Sequence, residues 1–315
     1  MRYKRFGKTE LQVSEMCLGT WGIGGAGWDE TSKETRFDAI HAAVEAGINF
    51  IDTAPAYNNG EAERMLGAAL KDMGKRHDVI ISTKCGNFFD NGNYTRDSRP
   101  EKIIQQIDDS LRNLQTDYID IMLIHWPDPK TPFADTMGVL SDLKKAGKIL
   151  HVGVSNFSKE QIEEVNQYCT IEAYQPQYSM VNRTNESLIK WAAEQDIGVM
   201  TYGSLGGGIL TGAIREVREY APGDSRNRFY KHFQEPTFSK IMKVVDVMDK
   251  ISAMHDNVSL SQIALNWCAQ KDFISTCIVG SQHRHKILEN VASFDWSLSA
   301  DEMAMLDEAI RTYLD

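Results

Sequence analysis

Residues 79–125 read VIISTKCGNFFDNGNYTRDSRPEKIIQQIDDSLRNLQTDYIDIMLIH, and the fold turns on this stretch. Val79–Lys84 and Ile119–His125 are short, β-branched and nearly continuous in apolar residues. That is the pattern of parallel strands covered on both faces, not of strands with one wet side. Between them, Pro100–Leu114 opens on a proline and sets Ile103, Ile104, Ile107 and Leu111 on one helical stripe. Two parallel strands joined by a helix require a right-handed crossover.

The same alternation runs outward in both directions. Further candidate strands are Met16–Leu18, Phe50–Asp52, Ile149–Ser155, Ala173–Gln177, Gly198–Tyr202 and Ile274–Val279. Helical segments with end signals are Ser32–Ala46, stopped by Gly47, and Phe133–Ala146, stopped by Gly147. Ser158–Tyr168 carries Gln161 three residues after its serine, and Thr184–Gln195 repeats the pattern. The eight strand candidates, each followed by a helix or a helix-bearing loop, predict an α/β protein closed as a (β/α)8 TIM barrel. An open doubly wound sheet is the competitor. It wants G-x-G-x-x-G after the first strand, whereas here Gly19-Thr-Trp-Gly22 follows. A single barrel domain over residues 1–315 is therefore expected.

Two pieces fall outside the repeat. Tyr3–Phe6 and Leu11–Val13 read as an N-terminal β-hairpin able to plug the barrel's bottom. Gly203–Phe238 is long and weakly patterned, which suggests a flap over a ligand.

Composition sets outer limits. Lys and Arg number 34 against 44 Asp and Glu, a formal charge of −10, which opposes a nucleic-acid partner. The apolar run Ile119–Trp126 is far short of the ~20 residues of a membrane helix, so no membrane association is expected. No secretory core follows the basic Met1–Lys8, because Ser14, Glu15 and repeated glycines interrupt it. The five cysteines include no C-x-x-C pair. Free thiols, no metal site and a cytoplasmic location are the expectation. The oligomeric state stays open.

The chemistry should sit at the C-terminal ends of the strands. There stand Asp52, Tyr57 just beyond it, Lys84 and His125, from three successive strands. A tyrosine is a poor acid at neutral pH unless a cation favours its phenolate. Lys84 supplies the cation, Asp52 holds it, and His125 can hydrogen-bond a carbonyl oxygen. Such a site moves a proton to or from oxygen, and no side chain here is a hydride source, so a cofactor is required.

Four segments carry a resemblance: Phe50-Ile-Asp52-Thr-Ala-Pro-Ala-Tyr57, Ile80-Ile-Ser-Thr-Lys84, Tyr118-Ile-Asp-Ile-Met-Leu-Ile-His125-Trp-Pro-Asp, and Gly147-Lys-Ile-Leu-His-Val-Gly153-Val-Ser155-Asn156-Phe157. Together they resemble the signatures of the aldo-keto reductase family, over essentially the whole chain including extra C-terminal helices. The look is nearest to the bacterial branch of inositol-operon-type reductases. The resemblance implies an NAD(P)-dependent oxidoreductase moving hydride between nicotinamide and a carbonyl or alcohol carbon of a small molecule. The substrate would be an aldehyde, ketone or keto-sugar, with Tyr57 as general acid or base.

The resemblance also implies cofactor contacts. Ser155, Asn156 and Gln175 match the carboxamide contacts, and Tyr178 matches the aromatic stacked on nicotinamide. Gly203, Ser204, Leu205 and Gly207 match the loop over the pyrophosphate. Gly280, Ser281, Gln282, Lys286, Glu289 and Asn290 match the adenosine end. There Val279 and Gln282 depart from the pattern of relatives that prefer NADP, leaving Lys286 and Arg284 as cations. NADP is expected, with NAD possible. Trp21, Trp28, Phe88, Phe89 and Trp126 are candidates for an aromatic rim. The histidines of His283-x-His285 are expected to point apart, as a solvated turn and not a metal pair. Two other functions fit the same residues. One is a cofactor-binding regulatory module, as in potassium-channel β subunits; the other is a sugar or polyol dehydrogenase working mainly in oxidation.

Overall fold

The computed structural model describes residues 1–25, 31–90, 93–220 and 231–315. Eight parallel strands close on themselves. They are β3 (Met16–Gly19), β4 (Phe50–Asp52), β5 (Ile80–Cys85), β8 (Ile119–Ile124), β9 (Ile149–Ser155), β10 (Ala173–Gln175), β11 (Gly198–Thr201) and β12 (Thr276–Gly280). The last strand pairs with the first, Cys277 with Met16 and Gly280 with Gly19, which rules out the open sheet. Every residue of β8 is buried, including Asp120, which interrupts the apolar run and pairs with Arg76 at 2.8 Å.

Helices connect the strands outside the barrel: α1 (Lys33–Glu45), α2 (Glu61–Met73), α3 (Pro100–Leu114), α4 (Phe133–Lys145), α5 (Lys159–Val165) and α6 (Glu186–Glu194). Beyond β11 come α7 (Thr237–Met254) and α8 (Leu260–Ala269), and beyond β12 come α9 (Arg284–Val291) and α10 (Ala300–Leu314). Ser32 caps α1, and Ser158 with Gln161 forms a capping box on α5. Helix α2 is absent from the segments read as helical above. Its buried Ala62, Met65, Leu66, Ala69 and Leu70 follow helical spacing, between left-handed Gly60 and Gly74. Part of the expected flap, residues 221–230, lies outside the described residues.

The N-terminal hairpin, β1 (Tyr3–Arg5) and β2 (Gln12–Ser14), drives Phe6 into the barrel's interior. Phe6 meets Phe50 edge-on at 5.6 Å, within a cluster that includes Ile121, Leu123, Ala173 and Met200. The fit depends on Gly198, where a Cβ would lie 2.5 Å from the Phe6 ring. Gly198→Ala is expected to destabilise the protein by about 1–3 kcal/mol through overpacking. Urea unfolding tests this, and an unchanged midpoint would contradict the plug.

A second hairpin springs from the end of β5: β6 (Asn87–Asp90) against β7 (Asn93–Arg96), with Asn87 opposite Arg96. It stands at the same end of the barrel as the strand-end residues.

Candidate active site

Asp52 ends β4, Lys84 lies in β5, and His125 follows β8 directly. Neighbouring parallel strands, each ending at the same rim, bring these three together. Lys84 Nζ donates to Asp52 Oδ2 at 2.7 Å, to the Thr53 carbonyl at 2.7 Å and to the Tyr57 hydroxyl at 3.1 Å. Asp52 and Lys84 are 2% and 1% exposed, so the pair has no water to lean on. Ser82 Oγ and Gln175 Nε2 each donate to Asp52 Oδ1 at 2.8 Å and complete the carboxylate's partners. Ser82 could have been found in the sequence, since it stands two residues before Lys84 and shares its inward face.

The charges follow from these contacts. Burial works against the Lys84 ammonium, but the Asp52 carboxylate, aided by Tyr57, outweighs it and holds the pKa above its ordinary value. Burial pushes the Tyr57 phenol up, and the opposing pull of Lys84 does not cancel it. Lys84 favours the phenolate, as expected of a neighbouring cation, but burial outweighs it, so the free protein holds a protonated phenol. Burial, with the Lys84 and Arg96 cations, keeps His125 well below the usual imidazole range, hence neutral at pH 7. Its ring meets that of Tyr57 edge-on at 6.2 Å, and its Nδ1 has no hydrogen-bond partner among the described residues. A proton donor, a neutral imidazole and a fixed cation thus converge on one spot. Cys85, next to Lys84, is buried with its thiol pushed up to about 12, as suits an inert core thiol.

Across the rim, Asn156 is held in a left-handed backbone conformation (φ 61°). Its Nδ2 donates to the His125 carbonyl at 3.0 Å and to Ser155 Oγ at 2.9 Å, while the Tyr202 hydroxyl donates to its Oδ1 at 2.8 Å. Strained backbone fixed by three side-chain bonds is common where a ligand is gripped. Ser155 Oγ in turn donates to the Gln175 carbonyl at 2.8 Å. Tyr178 does not belong here. It is 0% exposed, stacks on Trp267 at 5.6 Å and donates its hydroxyl to Glu186 at 2.8 Å. The assignment of Tyr178 as a stacking aromatic is corrected: the strand-end tyrosine bonded into this group is Tyr202, after β11. Both tyrosines lie just past a strand, and only the register tells them apart.

The loop after β11 turns through left-handed Gly203, Gly206, Gly207 and Gly208. Ser204 is 1% exposed, and its hydroxyl has no partner among the described residues. Leu205 precedes a short 3-10 turn, Gly206–Thr211. Bare backbone and an unpaired buried hydroxyl suit this loop to a phosphate-bearing ligand.

At the far end, Gln282 is buried and donates to the Gly22 carbonyl at 2.8 Å, tying the β12 loop to the β3 loop. Gly280 closes against the Gly19 carbonyl, 3.1 Å from where a Cβ would stand. Ser281 Oγ accepts from the His283 amide at 3.2 Å, and Asn290 is buried. Both expected cations are already paired. Arg284 grips Asp38 at 2.7 Å and Glu45 at 3.1 Å on α1, and Lys286 donates to Glu289 at 2.8 Å.

Trp21 stacks on Tyr57 at 6.3 Å, and Trp126 lies beneath Arg96, with 4.9 Å from the guanidinium carbon to the ring centre. Phe88 is half-buried on β6, opposite Thr95. Trp28 lies outside the described residues. Arg96 itself, on the second hairpin, was not singled out by sequence.

A family model described as Aldo/keto reductase family matches residues 15–311. The chain belongs to the aldo-keto reductase family. It is 35% identical over 303 residues to an aldo-keto reductase of Bacillus subtilis, covering 96% of this chain and 91% of that one. It is 33% identical over 319 residues to an NADH-specific methylglyoxal reductase of Escherichia coli, covering 96% of each. The structure matches that of a glycerol dehydrogenase from Gluconobacter oxydans with a TM-score of 0.90 at 32% identity, over 99% of this chain and 96% of that one. As an aldo-keto reductase, the chain is an oxidoreductase that works with a nicotinamide cofactor. Among the described residues, no helix is long and apolar enough to cross a membrane.

Proposed function

We propose that this aldo-keto reductase interconverts a small carbonyl compound and its alcohol, with Tyr57 moving the proton. The observation that carries this reading is the Tyr57 hydroxyl, 3.1 Å from the ammonium of Lys84 and facing neutral His125. A bound nicotinamide dinucleotide would supply or accept the hydride. Ser155, Asn156 and Gln175 would hold its carboxamide, Tyr202 would lie against its ring, and the Gly203–Gly207 loop with Ser204 would take its phosphates.

In reduction, His125 orients the carbonyl oxygen by a hydrogen bond while the Tyr57 hydroxyl gives that oxygen a proton. Lys84 then stabilises the phenolate left behind, and Asp52 keeps Lys84 charged and in place. In oxidation the same groups run in reverse, with the phenolate as base. The names of the two relatives, a methylglyoxal reductase and a glycerol dehydrogenase, favour a small polar substrate and leave both directions open.

The NADP expectation rests on Arg284 and Lys286, and the pairing of both bears on it. With Asp38 and Glu45 around it, Arg284 sits in a net negative group that repels a 2′-phosphate. We therefore propose that NADH serves at least as well as NADPH. The test is a panel of aldehydes, ketones, keto-sugars and the matching alcohols, run with both cofactors and compared by kcat/KM. Turnover of small carbonyls with NADH at or above the NADPH rate is expected. Cofactor binding without turnover on any member would favour the regulatory-module reading. A strong NADPH preference would overturn the assignment at Arg284.

A further inference from the structure

We infer that Arg96 sets substrate preference, and that favoured substrates carry an anionic group, a carboxylate or a phosphate, near the reacting carbonyl. This rests on reading the Tyr57–His125 site as the reducing centre.

Arg96 ends the hairpin that rises from β5, and its guanidinium carbon is 4.9 Å from the centre of the Trp126 ring. Trp126 follows His125 in the chain, so the cation stands at the same rim as the imidazole proposed to hold the carbonyl oxygen. Its charge is felt there, since it helps to keep His125 neutral. Stacking on an indole and a 3.4 Å contact from Nη1 to the Pro127 carbonyl fix the guanidinium without neutralising it.

The setting makes this informative. The chain carries ten more acidic than basic groups, a formal charge of −10. Arg99, three residues on, is held by Asp97 at 2.6 Å and by Glu101 at 3.3 Å. Arg96 has no carboxylate within 4.0 Å among the described residues, although its hairpin is built on the mouth of the site. A pre-oriented guanidinium with no carboxylate partner among the described residues offers a planar fork that matches carboxylate or phosphate oxygens. A neutral substrate would leave that fork to solvent.

The test compares matched substrates: benzaldehyde against 2-carboxybenzaldehyde for the carboxylate, and glyceraldehyde against its 3-phosphate for the phosphate. Expected is at least a ~10-fold higher kcat/KM for the anionic member of one pair or both, about one charged hydrogen bond's worth. Arg96→Gln should collapse that ratio mainly through KM of the anionic member, and Arg96→Lys should restore part of it. A wild-type preference for the neutral members, or a ratio that survives Arg96→Gln, overturns the inference. If no member turns over, the reducing-centre reading fails, and binding decides the inference separately. Tryptophan fluorescence titrations with 2-carboxybenzoate and glycerol 3-phosphate should then show affinity that Arg96→Gln lowers at least ~10-fold. Equal binding by wild type and Arg96→Gln would overturn it.

Discussion

Tyr57→Phe is expected to lower turnover by at least ~10²-fold while the protein stays folded and still binds its dinucleotide. The substitution removes one oxygen and keeps the ring that stacks on Trp21. Lys84 loses its 3.1 Å partner but retains Asp52 and the Thr53 carbonyl, so no buried charge is stranded. Stability should therefore change little, and the loss should fall on the chemical step. Single-turnover reduction, read beside NADH fluorescence titration, separates the two. A variant with near-normal turnover would remove Tyr57 from its role. The wild-type pH profile gives an independent check. Because burial raises the Tyr57 pKa, the phenol keeps its proton past the ordinary tyrosine value of about 10. Reductive kcat/KM should hold level from pH 7 into that range and fall only above it. His125, held neutral well below its ordinary value, should add no acid-side loss between pH 7 and about 6.5.

The barrel and the four strand-end residues were legible because both rest on local pattern. A parallel strand buried on two faces must be apolar along its length, and the residue where the apolar run stops must stand at the rim. Asp52, Lys84 and His125 all announce themselves this way. What stayed hidden depends on contacts between distant positions. Arg284 and Asp38 are 246 residues apart, and no spacing rule reveals that one is committed to the other. Tyr178 and Tyr202 differ only in where their strands end. β10 stops at Gln175, and the chain then turns Tyr178 into the core, whereas Tyr202 meets Asn156 at the rim. The second hairpin does carry a local signal, Asn91-Gly92 between the short runs Asn87–Asp90 and Asn93–Arg96. Neither run has the apolar alternation that marks a buried strand, so the turn signal stands alone.

Lys84→Met is expected to cost both stability and activity, and it tests whether the buried pair is one unit. Lys84 fills its space at 1% exposure, and methionine matches the stem of the side chain without its charge. The cost therefore comes from Asp52, left buried with only Ser82 and Gln175 as donors. Breaking one side of a buried ion pair typically costs about 3–5 kcal/mol, and these two neutral hydrogen bonds favour the lower end. The paired variant Asp52→Asn/Lys84→Met should be more stable than Lys84→Met alone, because the stranded charge is then gone. Strict additivity of the two single losses in a denaturation cycle would contradict that coupling. Activity should not return with stability. In the double variant Tyr57 has lost the cation that steadies its phenolate, so turnover should stay at least ~10²-fold down even where the fold is recovered. Recovery of stability without recovery of turnover would assign Lys84 two separable duties, one toward Asp52 and one toward Tyr57. If turnover returned along with stability, the Lys84–Tyr57 contact would be structural only.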